Sequence, residues 1–294
     1  MKLQIQALCK PGPVSIKDME KLIEICNSHD KTGYSLDVDD AFKGPDDINT
    51  FLLYSRGVLL SCITLFTPSA KEAEVSAFTH PEHRRKGYFG NLLKAVVSEI
   101  SRRGIPDLLF VCDRGSADGK AVAEGLGSKY DFSEYAMEYE RNFVGEDTES
   151  VASRGLVIRP SLLLDHDELL NLSMITFNEN REDAENYLKS VFESERRIQH
   201  VGILNDKIVG MVSVYREPGK SYIHGLSVLP EYRKRGIGRQ LLKFKVREAL
   251  CANPDWKIEL EVQTENRGAL SIYEDSGFSI TACYEYFRKS VESL

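Results

Sequence analysis

The sequence lacks any long apolar run and any excess of positive charge. No stretch of the 294 residues approaches the ~18 uninterrupted apolar residues that a membrane-spanning helix requires. The 38 Lys and Arg residues are outnumbered by 45 Asp and Glu residues, and the net charge of −7 argues against a broad nucleic-acid-binding face. The N-terminal segment has no apolar h-region and no small-residue cleavage site. We therefore expect a cytoplasmic protein with neither a membrane nor a nucleic acid as its partner.

Cysteines in metal-binding or redox spacing are absent too. None of the six cysteines belongs to a C-x-x-C motif, and none has histidine partners at the spacing of a zinc site. In a cytoplasmic chain such cysteines are typically reduced thiols that pack in the interior. We expect no metal site. The six cysteines are Cys9, Cys26, Cys62, Cys112, Cys251 and Cys283.

What the sequence does contain is an internal repeat of domain size. The segment His80 to Lys94 aligns without gaps on Leu229 to Lys243, at an offset of 149 residues. Pro, Glu, Arg, Gly, two Leu and Lys are identical in this alignment, and the exchanges between Arg and Lys keep the charge. Solenoid repeats recur every ~20 to 50 residues, so this offset indicates a duplicated domain. The composition, 42% hydrophobic and 28% charged, is that of a globular protein.

The surroundings of the repeated segment recur as well. In each half, alternating apolar residues predict two strands joined by a tight turn, at Arg56-Gly57 and at Asn205-Asp206. A third strand leads into the shared segment, and an amphipathic helix, a strand, a short helix and a closing strand follow it. This pattern predicts an α/β domain at residues 1–143, a polar linker at 144–154 and a second α/β domain at 155–294.

The segment from Val228 to the second-half helix is suited to bind phosphate. Gly236 and Gly238 permit a tight turn whose N–H groups point inward, and the helix that begins there adds its positive N-terminal end. Basic residues cluster in this loop of an otherwise acidic protein, and together these features predict a ligand with a pyrophosphate group. The basic residues are Arg233, Lys234, Arg235 and Arg239.

Two separate motifs resemble those of the GNAT superfamily of N-acetyltransferases. Arg233-x-x-Gly236-x-Gly238 is similar to the acyl-CoA pyrophosphate loop, and Asn266-x-x-Ala269-x-x-x-Tyr273 is similar to the second cofactor motif. The resemblance implies two tandem GNAT-like domains, each a mixed, mostly antiparallel sheet flanked by helices, with a splayed strand pair at the acyl-CoA site. It also implies that the cofactor is acetyl-CoA. The implied cofactor-binding residues are Leu226, Ser227, Val228, Arg233, Lys234, Arg235, Gly236, Ile237, Gly238, Arg239 and Asn266.

The resemblance gives Tyr273 the role of general acid. A phenol titrates near ~10 and a thiol near ~8.5, so a neutral tyrosine can give a proton to a departing thiolate. Tyr273 shares a predicted helix face with Asn266 and Ala269, where it could also simply pack. Two candidates for the base that takes the proton from the amine are His224 and Glu261, and deprotonation through water is an alternative.

The first half retains the phosphate-loop segment but differs from the GNAT motifs at other positions. Phe89 stands where the loop motif has its last glycine, and the alignment of Gly127 on Gly277 places Ser116 at Asn266 and Ala123 at Tyr273. We expect this degenerate domain to bind acyl-CoA weakly or through other contacts. The candidate residues there are Ala77, Thr79, Arg84, Arg85, Lys86, Gly87 and Gly90.

Three functions are consistent with these patterns. The first is an N-acetyltransferase in which a primary amine of a small molecule or peptide attacks acetyl-CoA directly, with the chemistry in the second half. The second is an acyl-CoA sensor that transfers nothing. The third places the chemistry in the first half, with Cys112 as nucleophile or acid. Acidic residues in the Ser161 to Glu193 region favour a cationic acceptor or simply form a solvated helix face.

Overall fold

A computed structural model describes residues 3–34, 46–67, 69–141 and 155–294 of the chain. The chain forms two compact units, of which the first contains Met1–Glu134 together with Ala282–Leu294 and the second contains Tyr135–Thr281. The first unit therefore includes a segment from the C-terminal end of the chain, which the contiguous prediction of 1–143 and 155–294 did not include. The predicted linker, 144–154, lies outside the described residues.

The first unit is a mixed sheet with helices packed on it. Its sheet order is β1-β2-β3-β4-β5-β12, and among these pairs only β4 and β5 run parallel. Its elements are β1 (Leu3–Leu8), α1 (Pro13–Asp30), β2 (Thr50–Ser55), β3 (Val58–Phe66), β4 (Glu72–Thr79), α2 (Tyr88–Arg102), β5 (Asp107–Asp113), α3 (Ala117–Gly125) and the first residues of β6 (Lys129–Tyr139).

The second unit repeats this plan. Its strands are ordered β11-β10-β9-β8-β7, and here the parallel pair is β10 with β11. Its elements are β7 (Val157–Pro160), α4 (His166–Phe177), α5 (Arg181–Phe192), β8 (Arg197–Leu204), β9 (Lys207–Glu217), β10 (Lys220–Val228), α6 (Ile237–Ala252), β11 (Lys257–Gln263), α7 (Arg267–Glu274) and the beginning of β12 (Phe278–Ser290).

The predicted hairpin turns are confirmed by their backbone angles. Arg56 and Gly57 have φ of +51° and +79°, and Asn205 and Asp206 have φ of +51° and +60°. Two successive positive φ angles match the right-handed twist of the flanking strands, which favours this kind of two-residue connection. The mixed, mostly antiparallel sheets with flanking helices confirm the predicted fold class.

The long helix of each unit packs its apolar face on the sheet. Leu92, Val96 and Ile100 of α2 are fully buried in the first core, and Leu241 and Leu242 of α6 are fully buried in the second. The spacing of three to four residues between buried positions is that of one helix face. Among the described residues, no helix is both long and apolar enough to cross a membrane.

The C-terminal part of β12 completes the first unit. Residues Tyr284–Ser290 pair antiparallel with Asp113–Asp107 of β5. Arg288 on this strand forms ion pairs with Glu72 at 2.7 Å, Asp131 at 2.7 Å and Asp107 at 3.2 Å. The first unit is therefore built from segments at both ends of the described chain.

Candidate functional site

The two repeated loops have the same backbone conformation. Each follows its strand with a short 3-10 turn, Pro81–His83 in the first unit and Pro230–Tyr232 in the second. The φ angles are then +59° at Arg85 and +61° at Lys234, and +77° at Gly87 and +82° at Gly236. Alternation into the left-handed region turns successive N–H groups to one side and forms a concave anion-binding nest at the start of a helix.

The basic side chains of the second-unit loop partly stabilise the loop itself. Arg233 donates from Nε to the Val228 carbonyl at 3.0 Å, and Arg235 donates to the Glu231 carbonyl at 2.8 Å and lies over the Tyr232 ring. The same bonds recur one repeat earlier. There Arg84 Nε donates to Thr79 at 3.2 Å and Lys86 to Glu82 at 2.8 Å. These side chains therefore hold the shape of the loop, and its backbone N–H groups are candidate donors to an anion.

Only one of the two motif glycines is required by backbone conformation. Gly236 has a positive φ, whereas Gly238 lies inside α6, and a Cβ added there would make ordinary contacts with Val228 at 3.7 Å and Ile272 at 3.8 Å. The residue at the matching first-unit position, Phe89, is partly buried against the core and also lines a cavity.

The parallel strands of each unit separate where the loop begins. In the second unit β10 pairs with β11 only at Lys220–Tyr222, although β10 continues to Val228. In the first unit β4 pairs with β5 only at Glu72–Val75 and continues to Thr79. This separation confirms the predicted splayed strands and leaves backbone groups of β10 without a β11 partner, so an extended ligand can bind along them.

A β-bulge distinguishes the second-unit strand from its repeat. In the pairing of β10 with β9, His224 faces Ser213 and Ser227 faces Met211, so that Gly225 and Leu226 together face one residue. Gly225 has φ of +62°. A bulge removes a residue from the ladder and redirects its backbone groups. The bulge lies at the splay, next to the predicted donor-binding residues Leu226, Ser227 and Val228.

The first unit has no bulge at this place. Its β4 pairs with β3 in continuous register from Phe66↔Glu74 to Ser61↔Thr79. Ser76 occupies the repeat position of Gly225. A serine disfavours the left-handed backbone that the bulge requires. The first-unit strand consequently keeps the backbone groups of Ala77 in its ladder.

The short helix of each unit begins with an equivalent capping residue. The Asn266 side chain accepts a hydrogen bond from the Ala269 N–H at 3.1 Å, and the Ser116 side chain accepts one from the Gly119 N–H at 3.2 Å. Both contacts are typical helix N-caps, and they agree with the alignment of Ser116 on Asn266. Asn266 therefore has a structural contact of its own, beside the ligand contact that the motif implies.

Tyr273 lies at the C-terminal end of α7 with its ring in the second core. The side chain is 8% exposed and packs 6.2 Å from the Phe278 ring. Burial raises the pKa of Tyr273 to about 12. The phenol is therefore neutral at any physiological pH, which is the form that can donate a proton. Ala123, at the equivalent place in the first unit, cannot donate.

The two candidate bases have different surroundings. Burial, and then the nearby Arg197 and Lys245 cations, lower the pKa of His224 to about 3. Arg197 Nη1 lies 3.4 Å from His224 Nε2. Glu261 is exposed and accepts a hydrogen bond from the Tyr222 hydroxyl at 3.0 Å. An imidazole with so low a pKa takes up a proton poorly at neutral pH, whereas Glu261 differs from it in being open to solvent.

Most acidic side chains of the 161–193 region have partners within the second unit. Asp165 is buried and paired with Arg159, Glu168 accepts from the Ile208 N–H, and Glu179 accepts from the Ser173 hydroxyl. Asp183 is bonded to Asn180 and Glu185 to Arg181. These partners weaken the expectation of an acidic cleft that selects a cationic acceptor, because the charges serve local structure.

The first unit contains a cavity of about 430 Å³ between β4, β5, the loop and α3. Sequence patterns did not reveal it, because its walls come from separate elements, including Cys26, Val75, Phe89 and Ala123. Arg84 at its rim donates to Asp30 at 2.6 and 2.8 Å and to Asp118 at 2.9 Å. The guanidinium of this loop is thus already engaged by two carboxylates, unlike that of Arg233.

Cys112 also lines this cavity, and its thiol is buried. The residue is 8% exposed, and burial raises the pKa of its thiol to about 11. The thiolate is the nucleophilic form of cysteine. Because the pKa is this high, almost none of the Cys112 thiol is ionised at neutral pH. The geometry therefore does not favour Cys112 as the nucleophile of the first unit.

Comparisons with known proteins agree with this geometry. Residues 166–278 match the acetyltransferase (GNAT) family. A GCN5-related N-acetyltransferase from Sphaerobacter thermophilus superposes with a TM-score of 0.75 at 19% identity, over 98% of this chain and 96% of its own. A tandem GNAT protein from the clavulanic acid biosynthesis pathway superposes with a TM-score of 0.69 at 14% identity, over 99% of both chains.

Two curated relatives match over shorter stretches. The N-alpha-acetyltransferase RimI of Mycobacterium tuberculosis is 40% identical over 70 residues, which cover 24% of this chain and 42% of the relative. An uncharacterised protein of Mycobacterium leprae is 36% identical over 77 residues, which cover 25% of this chain and 20% of the relative. The chain thus spans less than half the length of either. Residues 166–278 are thus similar to the GNAT acetyltransferase family, and the chain as a whole has the fold of a tandem GNAT protein.

Proposed function

We propose that the protein is an N-acetyltransferase that transfers the acetyl group of acetyl-CoA to a primary amine in its second unit. The observation that supports this most directly is the bulge at Gly225, located where β10 separates from β11 and beside the Gly236 nest. The first unit has the nest and the separation but lacks both the bulge and the tyrosine. The two repeats thus differ at the bulge and at the tyrosine, which are the groups to which we assign the acyl transfer.

The second-unit residues fit acetyl-CoA as the donor. The nest formed by Arg233 to Ile237 and the start of α6 suits a diphosphate, and the open edge of β10 from Leu226 to Val228 suits the extended pantetheine arm. When bound, acetyl-CoA supplies a thioester whose carbonyl carbon is open to attack by an amine. The backbone N–H groups that the bulge removes from the ladder would then donate to an oxygen that gains negative charge.

Two groups of the second unit move protons in this proposal. Tyr273, which its raised pKa keeps protonated, gives its hydroxyl proton to the sulfur that leaves, and the second proton that the acceptor nitrogen loses returns to the Tyr273 oxygen through solvent. Glu261, bonded to the Tyr222 hydroxyl and exposed to solvent, receives the proton of the acceptor ammonium directly or through water. His224 would remain neutral beside Arg197 and would shape the acceptor side of the cleft.

The same features are compatible with a second candidate function. An acyl-CoA sensor would need the nest and the open strand edge, and it would need neither Tyr273 nor the bulge. The first-unit loop shares its stabilising contacts with the second-unit loop but has no tyrosine at the position of Tyr273, which fits such a binding role for that unit. We therefore assign weak donor binding at most to the residues around Arg84 and Gly87.

Incubation of the full chain with acetyl-CoA and a panel of small-molecule and peptide amines tests this proposal. Release of free thiol that depends on the amine, together with acetylated product, is the expected result. Saturable acetyl-CoA binding without transfer to any amine would indicate the sensor. Calorimetric titration of acetyl-CoA into the Gly238→Asp variant locates the binding, because binding that survives unchanged must come from the first unit.

A further inference from the structure

Tyr187 of α5 contacts the bulge of the second unit from the side of α4 and α5. A Cβ added to Gly225 would lie 2.4 Å from the Tyr187 hydroxyl oxygen and 3.4 Å from its Cζ. The Tyr187 ring also packs edge-on against His224, with 6.1 Å between ring centroids. Tyr187 therefore lies directly on the backbone that forms the bulge.

A hydrogen bond fixes the Tyr187 hydroxyl in this position. It lies 2.9 Å from the hydroxyl of Ser213, which is fully buried on β9. Ser213 faces His224 across the ladder, in the last regular pair before the bulge. One contact network thus joins α5, β9 and the irregular part of β10.

The first unit shows what the strand does without this arrangement. Thr64 stands at the repeat position of Ser213 and Ser76 at that of Gly225, and β4 runs in continuous register. Gly225 thus meets two independent requirements, the positive φ of +62° and the close approach of Tyr187. A close hydroxyl contact of this kind would be lost if the bulge flattened into the ladder.

We propose that Tyr187 is a positioning residue, which holds Gly225 in the bulge and so aims the adjacent backbone at the acyl group of the donor. This inference rests on the proposed function, because the orientation of the bulge backbone has an effect on catalysis only when a thioester is bound. Tyr187 acts through Gly225 and takes no part in proton transfer. It extends the functional site to a helix that neither cofactor motif includes.

The test compares Tyr187→Phe with Tyr139→Phe in the full chain. Tyr139 is a matched control, because its ring also packs in the second unit, against Phe278, and lies outside the Tyr187 network. Both variants lose one hydroxyl and keep the ring. We expect Tyr187→Phe to lower kcat about tenfold with the Kd of CoA unchanged, and to reduce the preference for acetyl-CoA over CoA. Tyr139→Phe should leave all three quantities at their wild-type values.

Further variants and a structural measurement keep the outcome interpretable. Ser213→Ala should have the same effect as Tyr187→Phe, and the double variant should add little, because both changes remove one hydrogen bond. Amide hydrogen exchange at Gly225 to Ser227 should accelerate at least threefold in Tyr187→Phe. Unchanged exchange there, or equal losses of CoA and acetyl-CoA affinity, would overturn the positioning role. Absence of acetyl-CoA binding in the wild type would refute the proposed function, while the exchange result would still test the contact.

Discussion

Arg84 and Asp30 form a two-pronged ion pair in the first unit, with guanidinium nitrogens 2.8 and 2.6 Å from the two carboxylate oxygens. Hydrogen bonding to Arg84 lowers the pKa of Asp30, so the carboxylate stays charged at neutral pH. Asp118 adds a second carboxylate at 2.9 Å. The equivalent arginine of the second unit, Arg233, has no such pair among the described residues and donates to the Val228 carbonyl, while the nearby Arg239 pairs with Asp275. The first-unit loop thus has an anion of its own beside its nest.

Removal of these carboxylates should strengthen CoA binding in the first unit. We expect Asp30→Asn/Asp118→Asn, in the Gly238→Asp background, to increase the affinity for CoA about tenfold, because a freed guanidinium gains a charge-assisted hydrogen bond of about 1.5 to 3 kcal/mol. Calorimetry with CoA measures the change.

The background variant and its control follow from the same geometry. The Gly238→Asp substitution places a carboxylate in the first turn of α6. There the carboxylate interacts favourably with the helix dipole and repels a phosphate group. Asp113→Asn is the control, since Asp113 lines the same cavity and accepts a hydrogen bond from the Gly115 N–H. Equal affinities in all three proteins would show that the carboxylates do not limit binding.

Tyr273→Phe should slow acyl transfer with little change in binding. A positioned general acid typically contributes ~100-fold or more, so kcat should fall about 100-fold while the Kd of CoA stays within twofold. Thiol release and calorimetry measure the two quantities. Since the ring remains packed on Phe278, stability should stay near that of the wild type. A wild-type kcat would remove Tyr273 from the mechanism.

Acid should destabilise the second unit in a defined window. Burial and neighbouring cations lower the pKa of His224 to about 3 and that of His200 to about 4, whereas an unfolded histidine titrates near ~6.5. Below pH ~6.5 the unfolded chain binds protons that the folded unit excludes. Stability therefore falls with pH by up to about 1.4 kcal/mol per unit for each histidine, until the folded pKa is reached.

Denaturation followed through the single tryptophan, Trp256, measures this effect, because Trp256 lies in the second unit. The range between pH 6.5 and 5.5 is most informative, since carboxylates titrate mainly below it. A His200→Gln/His224→Gln variant should show a flatter dependence. A slope equal to that of the wild type would contradict the assignment to these histidines.

Loss of Arg288 should loosen the first unit. Its removal leaves Glu72, Asp107 and Asp131 close together without their shared cation. The side chain is 35% exposed, so we expect Arg288→Met to cost about 1 kcal/mol, which corresponds to about fivefold faster amide exchange. Exchange should accelerate in β5 and remain unchanged in β8 and β9. Lys289→Met serves as the control, and similar rates for both variants would show that the ion pairs contribute little.

The sequence was sufficient to predict the elements that depend on local patterns. The 149-residue repeat, the two hairpin turns and the order of the main strands and helices follow from periodicity and turn residues, and the structure confirms them. The bulge was not predictable, because it involves a contact between Gly225 and Tyr187, which lies on a helix 38 residues earlier in the chain. The pairing of Tyr284–Ser290 with β5 and the partners of the acidic 161–193 residues likewise depend on contacts between distant segments.

The place of Arg288 has a consequence for biosynthesis. During translation residues 3–134 leave the ribosome without the strand that pairs with β5, and all of 135–281 must follow before Arg288 can reach Glu72. The first sheet therefore lacks its last strand until the second unit has been synthesised, although domains usually fold in order from the N-terminus. The second unit, a continuous segment, can close while the first still awaits its last strand. A gene divided at its midpoint would encode a first half that permanently exposes the open edge of β5.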